Sequence, residues 1–280
     1  MLERKEVITS RQNPTLKRIC SLSEKKGRRE EGLFRFDGIK LFGEALQKEL
    51  DIKYVLVCKG APSSVTDAVE SALLKGALSS ERVIVCSAEV FSKVSEERSP
   101  EGLITVASFM PDRHRTVSLE EAKNYRADAE ERLLIAESLR DPGNLGTVIR
   151  SCNALGIDRL VISDDCADIY SPKVIRAAMG GLFSLDIDII PTEALPAAIL
   201  SLRKDGRAVY AAALHKNARE IGALHLKRGD CFVIGNEGHG LSEEVIKSCD
   251  ACAIIPMTEG SESLNAAVAA AICIWESVKQ

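Results

Sequence analysis

Along the first hundred residues, apolar positions alternate between two spacings. Leu16, Ile19 and Leu22 follow Asn13-Pro14 at helical intervals, and Leu41, Ala45 and Leu46 do the same within Gly38–Glu49. Ser64–Leu74 and Ala88–Val94 also read as helices. Between them lie the short runs Leu33–Phe36, Ile52–Cys58, Arg82–Cys86 and Leu103–Phe109, dense in Val, Ile, Leu and Phe, which read as strands. The stretch Pro111–Glu131 breaks the pattern. It is charged and has no long apolar period, which predicts a linker carrying one short helix at Ser118–Lys123.

Beyond it the alternation is cleaner. Strands are predicted at Arg132–Glu137, Arg159–Ser163, Leu185–Ile190, Ala208–Ala213, Cys231–Ile234 and Ala253–Ile255. Helices are predicted between them at Gly146–Leu155, Pro172–Ala178, Glu193–Lys204, Ser242–Ser248 and Leu264–Lys279. Strands this uniformly apolar, separated by helices, imply a parallel sheet buried on both faces. The expected fold class is α/β: a smaller α/β domain over residues 1–110, a linker over 111–131 and a parallel-sheet domain over 132–280. In such sheets ligands sit in the loops at the carboxyl ends of the strands.

Composition narrows the class. Hydrophobic residues make up 45% of the 280 and charged residues 28%, a globular balance that excludes a disordered or fibrous chain. The longest strictly apolar run, Ala266–Trp275, is about half a membrane span, so no membrane partner is expected. Nine Lys/Arg and no long apolar stretch among the first 30 residues do not read as a secretory signal, and a cytoplasmic location is expected. The nine cysteines lie scattered in apolar segments, as buried free thiols do in a reducing compartment. Cys249 and Cys252 form one C-x-x-C without a second pair at zinc spacing, so no metal site is expected. The net charge of −4 hides an asymmetry. Residues 11–29 carry seven basic side chains against Glu24, whereas residues 131–280 carry 15 basic and 20 acidic ones. Positive charge gathered at one end is compatible with a polyanion partner.

Three loops of the second half share an unusual composition. The first, Glu137–Arg150, leaves a strand and enters a helix. Pro142, Gly143 and Gly146 let backbone approach a ligand, Asn144 is placed to cap the helix, and Arg150 lies one turn beyond Gly146. The second, Ile234–Ser242, packs three glycines into six residues and presents Glu237 with no hydrophobic reason to be there. Its His239 is a candidate base, although a glycine-flanked loop histidine is more simply a solvated one. The third, Ile254–Asn265, is polar and leads into an alanine-dense helix suited to close packing and an interface, with Ser263 or Asn265 as the cap.

In this order, Asn144-x5-Arg150, Gly235-Asn-Glu-Gly-x-Gly240 and Ile255-Pro-Met…Ser263-Leu-Asn265 resemble the three motifs of the SpoU/TrmH family of RNA ribose 2′-O-methyltransferases, within the SPOUT superfamily. The resemblance implies S-adenosylmethionine as methyl donor and a homodimer with its active site at the interface. It also implies a deep trefoil knot forming the cofactor pocket, a rare exception to the rule that chains do not thread loops. The N-terminal half resembles the L30e-like RNA-binding domain found before many such enzymes. The residues that carry this are Ile8-Thr-Ser-Arg-Gln-Asn-Pro14, Lys25-Lys26, the run from Arg35 to Leu46, and Pro100-x-Gly-Leu-Ile-Thr-Val106. The usual Val-Glu-Gly of the middle motif is Phe36-Asp37-Gly38 here, an acid-for-acid change. This second resemblance points to rRNA, with 23S rRNA the expected substrate, and names no nucleotide.

By the same resemblance Arg150 acts at the ribose hydroxyl. A guanidinium keeps its proton at neutral pH, so polarising a phosphate or hydroxyl network is physically easier for it than removing a proton outright. Asn144 is expected to orient Arg150 or the RNA, and Glu237, Ser263 and Asn265 to position the substrate. Gly235, Ile255 and Leu264, with Met257 beside them, are the expected cofactor contacts, the glycine leaving room for the ligand. Arg11, Lys17, Lys25, Lys26, Arg28 and Arg29 are the expected contacts to RNA phosphate. A dinucleotide site would need G-x-G-x-x-G after the first strand, which Pro142-Gly143-Asn144-Leu145-Gly146 does not supply. Two alternatives stay open: a non-catalytic RNA-binding factor retaining the fold, and tRNA as the methylated substrate.

Overall fold

The apolar runs of the first half pair into a mixed sheet. In the computed structural model, which describes residues 2–215, 217–236, 238–258 and 263–279, the strands are β1 (Val7–Ile8), β2 (Leu33–Asp37), β3 (Ile52–Cys58), β4 (Val83–Cys86) and β5 (Leu103–Ser108), in the order β1-β4-β3-β5-β2. β1, β4 and β3 run parallel, and β5 is antiparallel to both β3 and β2. The helices are α1 (Pro14–Ser21), α2 (Lys25–Glu31), α3 (Ile39–Gln47), α4 (Ser63–Leu74) and α5 (Ala88–Val94). α1 starts where expected: the Asn13 side chain accepts from the N–H groups of Thr15 and Leu16, and Pro14 has no N–H to leave unpaired. Leu16, Ile19 and Leu22 form its buried stripe, in one core with Leu56, Phe91 and Val106.

The second unit is built on a parallel sheet. Its described strands are β6 (His114–Thr116), β7 (Leu133–Ala136), β8 (Arg159–Ser163), β9 (Asp186–Ile190), β10 (Val209–Ala212), β11 (Arg219–Glu220), β12 (Cys231–Ile234) and β13 (Ala251–Ile254). They lie in the order β11-β13-β10-β12-β7-β8-β9-β6, every neighbouring pair parallel. The helices along this part of the chain are α6 (Leu119–Lys123), α7 (Pro142–Leu155), α8 (Pro172–Ala178), α9 (Leu195–Lys204), α10 (Glu243–Ser248) and α11 (Ala266–Val278). β7 and β12 are buried at every position, as a sheet covered on both faces requires.

Two features depart from the sequence expectation. The stretch 111–131 is folded into the second unit rather than forming a linker. β6 pairs with β9 along the sheet edge, and α6 starts on a capping box in which Ser118 and Glu121 bond each other's backbone. So short an edge strand is held by charge. The Arg115 guanidinium grips the buried Asp188 of β9 through Nε at 3.2 Å and Nη2 at 2.9 Å, and the Tyr125 hydroxyl donates to the same carboxylate at 2.6 Å. A charged sequence concealed an ordered element.

The other departure is Tyr170–Phe183, which contains α8 and belongs to the first unit although β8 and β9 flank it in sequence. Its aromatic residues complete the first unit's core. Tyr170 stacks on Phe109 with ring centroids 4.2 Å apart, and Phe183 lies 5.2 Å from Phe36. No helix of the described residues is long and apolar enough to cross a membrane. All nine cysteines are free and seven are buried. Burial pushes the Cys249 thiol up to about 12 and it donates to the Val245 carbonyl at 3.2 Å, the behaviour of a packed thiol.

Candidate active site

The carboxyl ends of β13, β10 and β12 lie side by side and open into a cavity of about 370 Å³. The segments that follow these three strands and the start of α11 wall it. Gly235, Ile255, Met257 and Leu264, the residues expected to hold a cofactor, all line this one cavity, and Ser263 lines it too. Ala212, Ala213 and Leu214, at the end of β10, line it as well and were missed, because a short apolar segment carries no polar signature in sequence. His239 stands exposed at the cavity wall.

The glycines of the second loop answer first to the loop itself. A Cβ on Gly235 would collide with the Gly240 carbonyl, so this glycine is required by the chain folding back on itself rather than by ligand space alone. Asn236 N–H donates to the Gly240 carbonyl at 3.1 Å, Gly240 N–H returns a bond to Asn236 at 2.9 Å, and Gly240 has φ +68°. Ser242 then caps α10, and its own N–H donates to the Glu137 carboxylate at 2.8 Å. Glu137 is buried. Its signal in sequence was an acid directly after the unbroken apolar run of β7.

α7 starts earlier than its apolar spacing suggested. Asp141, not Asn144, is the cap: its side chain accepts from Asn144 N–H at 2.7 Å, and Pro142 occupies the first turn. Asn144 therefore sits inside the helix with its side-chain carbonyl accepting from Asn265 Nδ2 at 3.0 Å. Asn265 Oδ1 meanwhile caps α11, taking the N–H groups of Ala267 and Val268. The first and third loops thus meet through two asparagines, beside a cavity wall that includes Ser263. Arg150 is exposed on α7 and does not line the cavity, and its side chain makes no hydrogen bond or ion pair with another described residue. Asn144 does not orient it directly. Arg150 lies six positions further on, about 9 Å along the axis and one and two-thirds turns around it. Glu237 lies outside the described residues.

In the first unit Arg11, Lys17, Lys25, Lys26 and Arg29 are exposed, as phosphate contacts must be. Arg28 is not: it is 3% exposed, and its Nη1 donates to the carbonyls of Leu22 at 2.8 Å and Ser23 at 2.7 Å. The turn between α1 and α2 leaves those carbonyls without helical partners, and the arginine satisfies them. Arg28 leaves the proposed footprint. Arg35 of the middle motif is likewise internal, donating to the Val94 carbonyl at 2.9 Å. Burial holds the neighbouring Asp37 carboxyl above its ordinary range, with Arg35 opposing.

The SpoU rRNA methylase family matches residues 131–275, and the MRM3-like substrate binding domain matches residues 13–105. A 23S rRNA (guanosine(2553)-2′-O)-methyltransferase, RlmP, of Bacillus subtilis is 28% identical over 96% of this chain and 97% of its own. A 23S rRNA (uridine(2479)-2′-O)-methyltransferase of Streptomyces viridochromogenes is 35% identical over 50% of this chain and 49% of its own. The crystal structure of an AdoMet-bound rRNA methyltransferase from Sinorhizobium meliloti superposes with a TM-score of 0.80 at 27% identity, over 98% of this chain and 97% of that one.

Proposed function

Because the chain belongs to the SpoU rRNA methylase family, we propose that it transfers a methyl group from S-adenosylmethionine to a ribose 2′-hydroxyl of RNA, with 23S rRNA as the substrate and the cytoplasm as the site of action. The observation that carries this reading is the convergence of Gly235, Ile255, Met257 and Leu264 on one cavity next to the Asn144–Asn265 pair. The cavity fits such a ligand. Its volume falls within the range of about 300–1,000 Å³ usual for small-molecule sites, and its walls join apolar side chains to loop backbone able to pair with an adenine edge. The two relatives named above modify a guanosine and a uridine, so the ribose, not the base, is what their reactions share.

When bound, S-adenosylmethionine supplies a methyl group on a sulfonium, whose leaving group is a neutral thioether. The chain's own residues must hold the hydroxyl in line and make it more nucleophilic. Ser263 reaches the ribose from the cavity side and Asn265 from beside it, where Asn144 fixes the Asn265 carboxamide. Glu237 completes this positioning set. The Arg150 fork engages the hydroxyl and an adjacent phosphate together, which an ammonium cannot do.

The same family reading makes the chain a homodimer with a deep trefoil knot at α11. Two observations support a second copy completing the site. Arg150 stands off the cavity with no partner among the described residues, and an apolar groove between α7 and α11 leaves Val268 48% and Trp275 57% exposed. Calorimetry with S-adenosylhomocysteine should show binding that persists in a chelator, and light scattering on the same sample should give about twice 30.4 kDa. Mapping 2′-O-methylation in cells with and without the protein should reveal a site lost from 23S rRNA. A site lost from tRNA instead moves the substrate to tRNA, and no lost site with RNA binding intact favours the non-catalytic reading.

The basic patch is tested separately. Replacing Lys25, Lys26 and Arg29 by alanine should weaken RNA binding. The slope of log affinity on log salt should fall by about 2, since each single-strand phosphate no longer neutralised removes roughly 0.7. Arg28→Ala should cost stability and leave the slope where it was; an unchanged slope in the triple variant would return α2 to a solvated face.

A further inference from the structure

Ser138 has φ +55°, a left-handed backbone that serine rarely adopts, in the loop between β7 and α7. Every polar group it owns is committed. Its N–H donates to Ser163 Oγ at 2.7 Å, its hydroxyl donates to Asp165 Oδ2 at 2.7 Å, and its carbonyl accepts from Asn236 Nδ2 at 2.8 Å. Burial pushes Asp165 up, but hydrogen bonds from Ser163, Arg140, Ser138 and Thr192 outweigh it and bring the carboxyl to about 2. That anchor stays ionised through the neutral range.

Asn236 faces the other way as well. It lines the cavity, its Oδ1 accepts from Gly238 N–H at 2.7 Å, and its backbone closes the loop onto Gly240. One carboxamide therefore joins the loop walling the cavity to the turn from which α7 departs, three residues before the Asp141 cap and six before Asn144. An unfavourable backbone conformation held from three directions persists only where its surroundings over-determine it, and such residues cluster where geometry matters to chemistry.

We infer that Asn236 is a positioning residue for methyl transfer, its bond to the Ser138 carbonyl setting the cofactor loop in register with the helix that carries Asn144 and Arg150. The inference rests on the reading given under Proposed function. Asn236→Asp keeps an oxygen for Gly238 N–H but turns a second oxygen, with no proton to give, toward the Ser138 carbonyl. Turnover at saturating substrates should fall about tenfold to a hundredfold, as small misplacements of reacting groups do. Affinity for S-adenosylhomocysteine should stay within about threefold and the melting temperature should hold, the split that separates lost positioning from lost binding. Ser138→Gly adopts the turn without strain, so combining it with Asn236→Asp should give a loss of turnover smaller than the sum of the two. Unchanged turnover in Asn236→Asp overturns the inference. So does a parallel loss of turnover, ligand affinity and melting temperature, which assigns the residue to loop folding. Wild-type protein that binds no S-adenosylhomocysteine overturns the functional reading and the inference with it.

Discussion

Arg150→Ala is expected to slow methyl transfer by about a hundredfold to a thousandfold, the scale on which losing one donor to a developing oxyanion is felt, while S-adenosylhomocysteine binds as before. The separation follows from where the side chain stands. Arg150 does not line the cavity, so the cofactor loops keep their contacts without it. Its side chain has no ion pair or hydrogen bond to another described residue, so its removal leaves no partner stranded and the melting temperature should move little. Arg150→Lys should recover little of the rate, because a point-charge ammonium lacks the planar fork. Single-turnover transfer of labelled methyl groups, read beside calorimetry on the same preparation, checks all three statements. Methylation near the wild-type rate in a folded Arg150→Ala protein removes it from the catalytic set.

The largest loss of stability is expected at a residue far from any motif. Asp188 is 1% exposed, and its carboxylate gathers Arg115, Arg159 and the Tyr125 hydroxyl. Burial pushes the Tyr125 hydroxyl well above its ordinary range, so it remains a donor. Removing the acid strands a buried hydroxyl and takes the carboxylate from Arg115, while Arg159 keeps Glu131 at 2.7 Å. Breaking a buried pair from one side costs about 3–5 kcal/mol, and since half of the Arg115 side chain reaches water the lower end applies. At roughly 2–4 °C per kcal/mol for a unit of this size, Asp188→Ala should melt about 6–12 °C lower. Limited proteolysis should find new cuts in 111–131 as β6 lets go of the sheet. A shift of a degree or two, with that stretch still protected, would show that packing alone holds the edge strand.

That edge strand shows why sequence resolved one part of the fold and missed another. β7, β8, β9 and β12 are short apolar runs whose burial needs no knowledge of distant residues, and they fall within a residue or two of their expected places. β6 has almost nothing to bury. Its partner is a carboxylate 73 positions away, which no local period can announce. The same holds at the site. The three loops were legible because glycines, asparagines and serines crowd where strands end, and of the two expected caps, Ser263 and Asn265, it is Asn265 that caps α11. Which asparagine or aspartate caps α7 was not, since Asp141 and Asn144 are equally able in sequence and only the position of the first turn decides. Charge ran into a related limit: Arg28 and Arg29 are neighbours in one basic run, yet Arg29 faces solvent while Arg28 ties down two carbonyls.

The interleaving of the chain also sets a clock. Phe34, Phe36 and Phe109 find their last neighbours in Tyr170 and Phe183, and Phe183 is made 74 residues after Phe109. At about 5–20 residues per second, a ribosome takes roughly 4–15 s to cross that gap. Throughout it the nascent first unit holds aromatic faces open to water, on a chain already long enough to collapse or to meet another. A fragment ending near residue 110 would stay in that condition permanently, and its behaviour with RNA would report on an unfinished core. The first unit thus closes no earlier than translation of the sequence between β8 and β9.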